Sequence, residues 1–306
     1  MDNLLLVALA GFLAAMVDGA LGMGFGPTSS TLLLSAGIPP AAVSTTVNLA
    51  KVASGLAAGV SHWRFRNIDH RLVLQLAIPG AIGAVIGVTV LTHVPADTIR
   101  PLLAALLVLV GLRMLLRFSK ALPARVDVAE GAASTEGAPR FDERGVKVVA
   151  TAGGVTNGLV GAWGPVVTPF LMHKGLEPRF AIGSVNTAEV AVATVAAGSL
   201  VASLGRNGFD VGVVVAMMVG GVLAAPLAAW VIRFVPARGM GVAVAALLLL
   251  TNVRDLASWG DLGSIAWAGY GIVVVLALGA ALAPRLRERR LSARWRGAAA
   301  APASLD

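Results

Sequence analysis

Two stretches decide how this chain folds: DGALGMGFGP at residues 18–27 and NGLVGAWGP at residues 157–165, one motif written twice with a single deletion. The match continues downstream. GIPPAAVSTTVN at 37–48 faces GLEPRFAIGSVN at 175–186, 138 residues later, and Val94-Pro95 and Arg113 face Val235-Pro236 and Arg254, 141 residues later. Chance similarity does not keep its order over such a length, so the chain reads as two copies of one unit. The copies occupy residues 1–117 and 145–256, joined by a linker at 118–144 that is rich in Ala, Gly, Pro and charge and reads as a flexible cytoplasmic loop. A further apolar segment at 257–284 and a basic tail at 285–306 complete the chain.

Each unit runs through the same series: an apolar run, the Gly/Pro break, a short apolar run, then three longer ones. In the first copy these are residues 4–17, 28–36, 40–61, 72–92 and 98–116. Fourteen helical residues rise about 21 Å and nine about 14 Å, short of a hydrocarbon core ~30 Å thick. The two short runs therefore predict a hairpin that enters the membrane and returns on the same side, with its irregular tip sheltered by protein.

Composition agrees with lipid as the solvent. Of 306 residues, 57% are hydrophobic and 13% charged, about half the charge share of an ordinary soluble domain. Cysteine is absent, which excludes disulfides, thiolate metal sites and thiol chemistry. No cofactor is expected, and no nucleophile stands beside a base as a hydrolytic enzyme would need. The net charge of +8 does not require nucleic acid as a partner, because basic residues on cytoplasmic loops give the same total. The N-terminal run lacks the basic start and cleavage site of a signal peptide and is expected to remain.

Charge placement predicts topology. HWRFRNIDHR at 62–71 holds three Arg, residues 113–147 hold seven Lys/Arg, and the tail segment RLRERRLSARWR holds six Arg. All three read as cytoplasmic. With three full spans per unit the second copy is inverted relative to the first; counting each hairpin as one crossing would make the copies parallel and export the Arg-rich tail. The expected architecture is thus an all-α polytopic membrane protein of two inverted repeats. Each is a re-entrant helical hairpin plus three transmembrane helices, with one extra C-terminal transmembrane helix. The N-terminus lies outside and the C-terminus in the cytoplasm of the cell membrane, and self-association into a homo-oligomer is compatible with such a surface.

Inverted repeats with broken helices carry transporter sites at the membrane midplane. The breaks supply Gly24, Phe25, Gly26, Pro27 and Thr28 in one copy and Trp163, Gly164, Pro165 and Val166 in the other. A proline at the start of a helix leaves its N-terminal N–H groups and positive dipole end free to face an anion; glycines that merely permit tight packing are the rival reading. Only Asp18, Lys51 and Glu189 place charge well inside apolar runs, at ~2.5–3.5 kcal/mol or more each on insertion scales. Lys51 and Glu189 are 138 residues apart, as are Asn48 and Asn186, so both pairs occupy equivalent places. Lys51, Asn48 and Asn186 are candidate anion ligands and Glu189 a candidate proton carrier. A simple Lys51–Glu189 staple between the halves is the alternative. Asp18 either braces the turn or titrates as a second acid.

The chain resembles the sulfite exporter TauE/SafE family over about residues 5–256. The resemblance rests on GALGMGFGP, SHWRFRNID at 61–69, IPGAIGAVIG at 78–87 and EPRFAIGSVNTAE at 177–189, in that order. It implies secondary transport, as an exporter, of a small sulfur-containing or carboxylic anion across the bacterial cytoplasmic membrane, proton-linked and without ATP-binding parts. Lys51 is a departure, since relatives with the SHWRF-type loop often carry an acidic residue near that place. The partners so implied are the anionic substrate, protons and the bilayer, with no nucleic acid and no metal. An anion channel, a non-transporting membrane subunit and a membrane enzyme are the competing classes.

Overall fold

A computed structural model describes residues 4–21, 23–119, 141–205, 208–231, 237–260 and 267–282. Most of the linker and the whole of the basic tail from 285 lie outside the described residues. Ten helices follow in order: α1 (Leu4–Leu21), α2 (Phe25–Ser35), α3 (Pro40–Arg64), α4 (His70–His93), α5 (Ala96–Ser119), α6 (Val146–Val160), α7 (Gly164–His173), α8 (Pro178–Leu204), α9 (Val211–Val231) and α10 (Ala237–Trp259). An eleventh, α11 (Trp267–Leu282), occupies the expected C-terminal segment. No strand is present among the described residues. The protein is an all-helical, multi-pass membrane protein, and the order long, short, long, long, long occurs twice.

By length and composition α4, α5, α8 and residues Arg238–Trp259 of α10 are each able to cross a membrane, while Leu4–Asp18, Val146–Val160, Val211–Ala224 and α11 are shorter apolar helices. Helix α3 is long enough at 25 residues, but it buries Ser44, Thr45, Thr46, Asn48 and Lys51, which lowers its hydropathy. The outward face is apolar: Leu74, Ile78 and Ile82 of α4 are all more than half exposed, as a lipid-facing surface requires.

The first helix departs from expectation. It continues through Asp18 to Leu21, 18 residues in all, a rise of about 27 Å rather than 21 Å. The break is correspondingly shorter, because α2 begins at Phe25 instead of Thr28. One side chain accounts for this. Asp18 Oδ1 accepts the backbone N–H groups of Gly24 at 2.8 Å and Phe25 at 3.1 Å, so the last turn of α1 caps the first turn of α2. In the second copy, Gly161 ends α6 with φ 67°, and its N–H donates to the Asn157 carbonyl at 2.8 Å.

The two units are packed by exchange. Helix α6 of the second lies along α4 of the first, α1 of the first lies along α9 of the second, and α3 meets α8 while α5 meets α10. The α4–α6 crossing is close enough to demand glycine. A methyl group at Gly154 would collide with the Gly80 carbonyl, and one at Gly158 would sit 2.5 Å from the Ala84 carbonyl oxygen. Helix α1 meets α9 in the same way, through Gly11 against the Met217 carbonyl and Gly220 against that of Ala8. Replacing Gly154 with leucine should lower stability in detergent by ~1–3 kcal/mol through overpacking. Gly198→Leu, where a Cβ meets nothing within 4 Å, should leave the melting temperature nearly unchanged. Thermal unfolding of both variants checks this.

Candidate functional site

The middle of α3 carries a lysine with almost no water around it; Lys51 is 6% exposed. An ammonium group has three donors and needs three acceptors. Lys51 Nζ donates to Glu189 Oε1 on α8, to Asn157 Oδ1 on α6 at 3.2 Å, and to the Gly161 carbonyl at 2.5 Å. Glu189 is the residue that the 138-residue repeat pairs with Lys51, so the packing of α3 on α8 brings the two equivalents into direct contact.

Asn157 is the hub that links them. It is fully buried, and since the ammonium can only donate, the amide must turn its oxygen toward Lys51. Its Nδ2 then donates to Asn48 Oδ1 at 2.7 Å, while Asn48 Nδ2 donates to the carbonyl of Ser44 at 2.9 Å. Sequence reasoning treated Asn157 only as the counterpart of Asp18. The signal that could have found it was polarity itself, an amide in the last turn of an apolar helix beside the break.

A small cavity opens at this point. Asp18, Gly24, Phe25, Gly26, Pro27, Lys51, Gly164, Pro165 and Glu189 all line it, together with Met23 and Gly161, which the sequence did not single out. Its volume is about 10 Å³, room for roughly one water. The N-terminal turns of α2 and α7 thus meet at the Lys51–Glu189 pair. The contact is tight: a Cβ on Gly26 would collide with the Gly161 carbonyl and lie 3.1 Å from Lys51 Nζ.

Other candidates fall outside the lining. Trp163 is fully buried and gives its indole N–H to the Val185 carbonyl at 3.1 Å; its ring packs against Gly80 and Gly153, so it wedges α7 in place. The Val166 N–H is taken by the Trp163 carbonyl at 3.1 Å. Thr28 is buried one turn into α2, and its Oγ1 has no partner among the described residues. Asn186 does not join Asn48. It reaches the other way, with Nδ2 3.5 Å from His62 Nε2, so His62 faces the protein while its neighbour Trp63 is exposed.

A buried ion pair is commonly no more stabilising than well-packed apolar residues, while removing one partner costs ~3–5 kcal/mol. Lys51→Met alone should therefore destabilise strongly, and Lys51→Met combined with Glu189→Leu should recover most of the loss. Unfolding of the single and double variants in detergent measures this; a double variant as unstable as the single one would mean that the pair staples the helices.

The sequence profile described as "Sulfite exporter TauE/SafE" matches residues 7–254. A relative from Bacillus subtilis (strain 168), named "Probable membrane transporter protein YtnM", is 38% identical over 257 residues, covering 84% of this chain and 83% of that protein. A second, "Probable membrane transporter protein ORF9" from a Sinorhizobium species, is 32% identical over 104 residues, covering 34% of this chain and 40% of that protein. No solved structure gives a significant match. The family and these relatives are described as exporters or membrane transporters rather than enzymes, and this chain, matched along most of its length, belongs to the sulfite exporter TauE/SafE family of membrane transporters.

Proposed function

We propose that the protein is a secondary transporter of a small anion, such as sulfite, an organosulfonate or a short carboxylate, that binds at Lys51 and moves together with a proton carried by Glu189. The observation that carries this reading is the position of the pair: a buried ammonium, occupied by a carboxylate, where the N-terminal turns of two short helices meet. Helix N-termini favour negative charge, and here the charge beside them is the protein's own.

Glu189 then acts as a stand-in for the substrate. While it is ionised it holds Lys51, and an incoming anion must compete with it. Once protonated it releases Lys51, whose charge together with the α2 and α7 turns becomes available to the anion. Anion and proton are loaded together and leave together, which defines symport. Asp18 keeps the α2 turn in shape by capping it, and Asn157 and Asn48 hold the ammonium in place. The two units, inverted with respect to each other and with the N-terminus outside, would exchange conformations to expose this site alternately to each side. The repeated helix order and the reciprocal packing of α1 on α9 and α6 on α4 support that reading.

The sign of the pH effect follows from the competition. Anion affinity should fall as pH rises through the Glu189 transition, because deprotonation restores the competing carboxylate. Glu189→Gln should bind the anion with little pH dependence and carry it without responding to a proton gradient. Lys51→Met in the Glu189→Gln background, where no carboxylate is left without its counter-ion, should lose anion binding while remaining folded. Sulfite, sulfoacetate and short-carboxylate fluxes in reconstituted vesicles, with and without an imposed pH gradient, test this. Counterflow marks a carrier, whereas flux that scales as conductance and ignores the pH gradient would make the protein an anion channel instead.

A further inference from the structure

A second and much larger hollow lies away from Lys51, among the C-terminal end of α2, the N-terminal end of α5 and the C-terminal end of α10. Its volume is about 500 Å³, within the range of small-molecule sites. Ser35, Asp97, Arg100, Asn252, Asp255 and Trp259 contribute to its lining. Arg100 and Asp97 stand three residues apart on one face of α5. Asp255 comes from α10, close enough for its charge to interact with that of Arg100 and of its exposed chain neighbour Arg254. Among the described residues, none of Asp97, Arg100 and Asp255 forms an ion pair within 4.0 Å. Two carboxylates and a guanidinium from two helices thus border the hollow without forming an ion pair within 4.0 Å among the described residues.

Polar groups on α2 lie between the hollow and the Lys51 pocket. Asn252, one turn deeper than Asp255, is buried and donates to Thr31 Oγ1 at 3.0 Å. Thr31 is one turn from Thr28, and the buried Oγ atoms of Thr28 and Ser29 have no partner among the described residues. The next turn is Gly24–Pro27, which lines the pocket. At the opposite end of the α5–α10 contact, Phe118 is buried against Gly241, so tightly that a Cβ there would collide with the ring. That end is packed where this one is open.

We infer that this hollow is an admission site for an amphoteric organic acid, whose acid group lies on Arg100 and whose ammonium group lies between Asp97 and Asp255. The inference rests on the transport reading above and, among the organosulfonates and short carboxylates named there, favours those that also carry an amine. Size and charge both support it. A bare inorganic anion would leave most of the 500 Å³ unfilled. A guanidinium binds an acid group through paired N–H donors, but two carboxylates beside it penalise a ligand that is only negative. An ammonium on the same ligand turns that penalty into attraction.

The test is calorimetric titration of the purified full chain in detergent with glycine, β-alanine and γ-aminobutyrate, each paired with the acid that lacks its amine: acetate, propionate and butyrate. At least one amino acid should bind about tenfold or more tighter than its partner. Asp255→Asn should erase that preference, and Arg100→Gln should weaken both members of the pair by a similar factor, with unchanged elution on size exclusion showing that each variant is folded. Equal binding within every pair, no binding by any member, or a preference that survives Asp255→Asn overturns the inference. Binding is read in detergent, where no flux exists, so intact binding with no flux in vesicles would sink the transport reading and leave the hollow as a binding site for amphoteric acids.

Discussion

A protonated amine in the middle of a membrane protein must be surrounded by acceptors, and the rest of this structure is organised around meeting that demand for Lys51. Its three partners come from α8, from α6 and from the turn after α6, so a single nitrogen ties the first unit to two helices and a break of the second. Those helices can reach it only because glycines let α6 lie backbone to backbone against α4, and because Gly26 has no side chain to push Gly161 away. Remove the ammonium and Asn157 has no reason to turn its oxygen inward, while Glu189 is left as a carboxylate without its counter-ion.

Much of this was legible in the sequence because the repeat carries geometric information. Identical spacing placed Lys51 and Glu189 on equivalent helices, and the packing of α3 on α8 makes such equivalents neighbours. The rule failed for Asn48 and Asn186, although they share that spacing. Asn48 lies one turn from Lys51 and turns to Asn157, whereas Asn186 turns to His62. A pseudo-symmetric spacing therefore tells which helices meet, and not which of their faces. The helix boundaries near the first break were misplaced for a different reason. The first apolar run reads as ending at residue 17, but Asp18 accepts N–H groups beyond the break and α1 runs on to Leu21. Such a contact spans six or seven residues and leaves no periodic trace in the sequence.

The two cavities differ in a way that bears on mechanism. At Lys51 the space is little larger than a water molecule, and the protein's own carboxylate occupies the ammonium; at the α2–α5–α10 end there is room for a whole organic molecule, bordered by charges that are not joined to one another. Under the proposed mechanism the small pocket is the resting, self-occupied state of the binding site and the large hollow is where substrate waits. The polar face of α2 lies between them, with buried hydroxyls at Thr28 and Ser29 that have no partner among the described residues. Buried polar atoms without partners carry a cost, and a ligand moving along this face would offset it in passing.

The central claim is that anion and proton are loaded together because Glu189 and the anion compete for Lys51. The direct measurement is proton exchange on binding, with purified protein in weakly buffered detergent solution and a pH electrode or indicator following the addition of a transported anion. The account predicts uptake of about one proton per anion bound at a pH where Glu189 starts ionised, and none in the Glu189→Gln protein. Binding of the anion with no proton uptake, or with proton release, would contradict it.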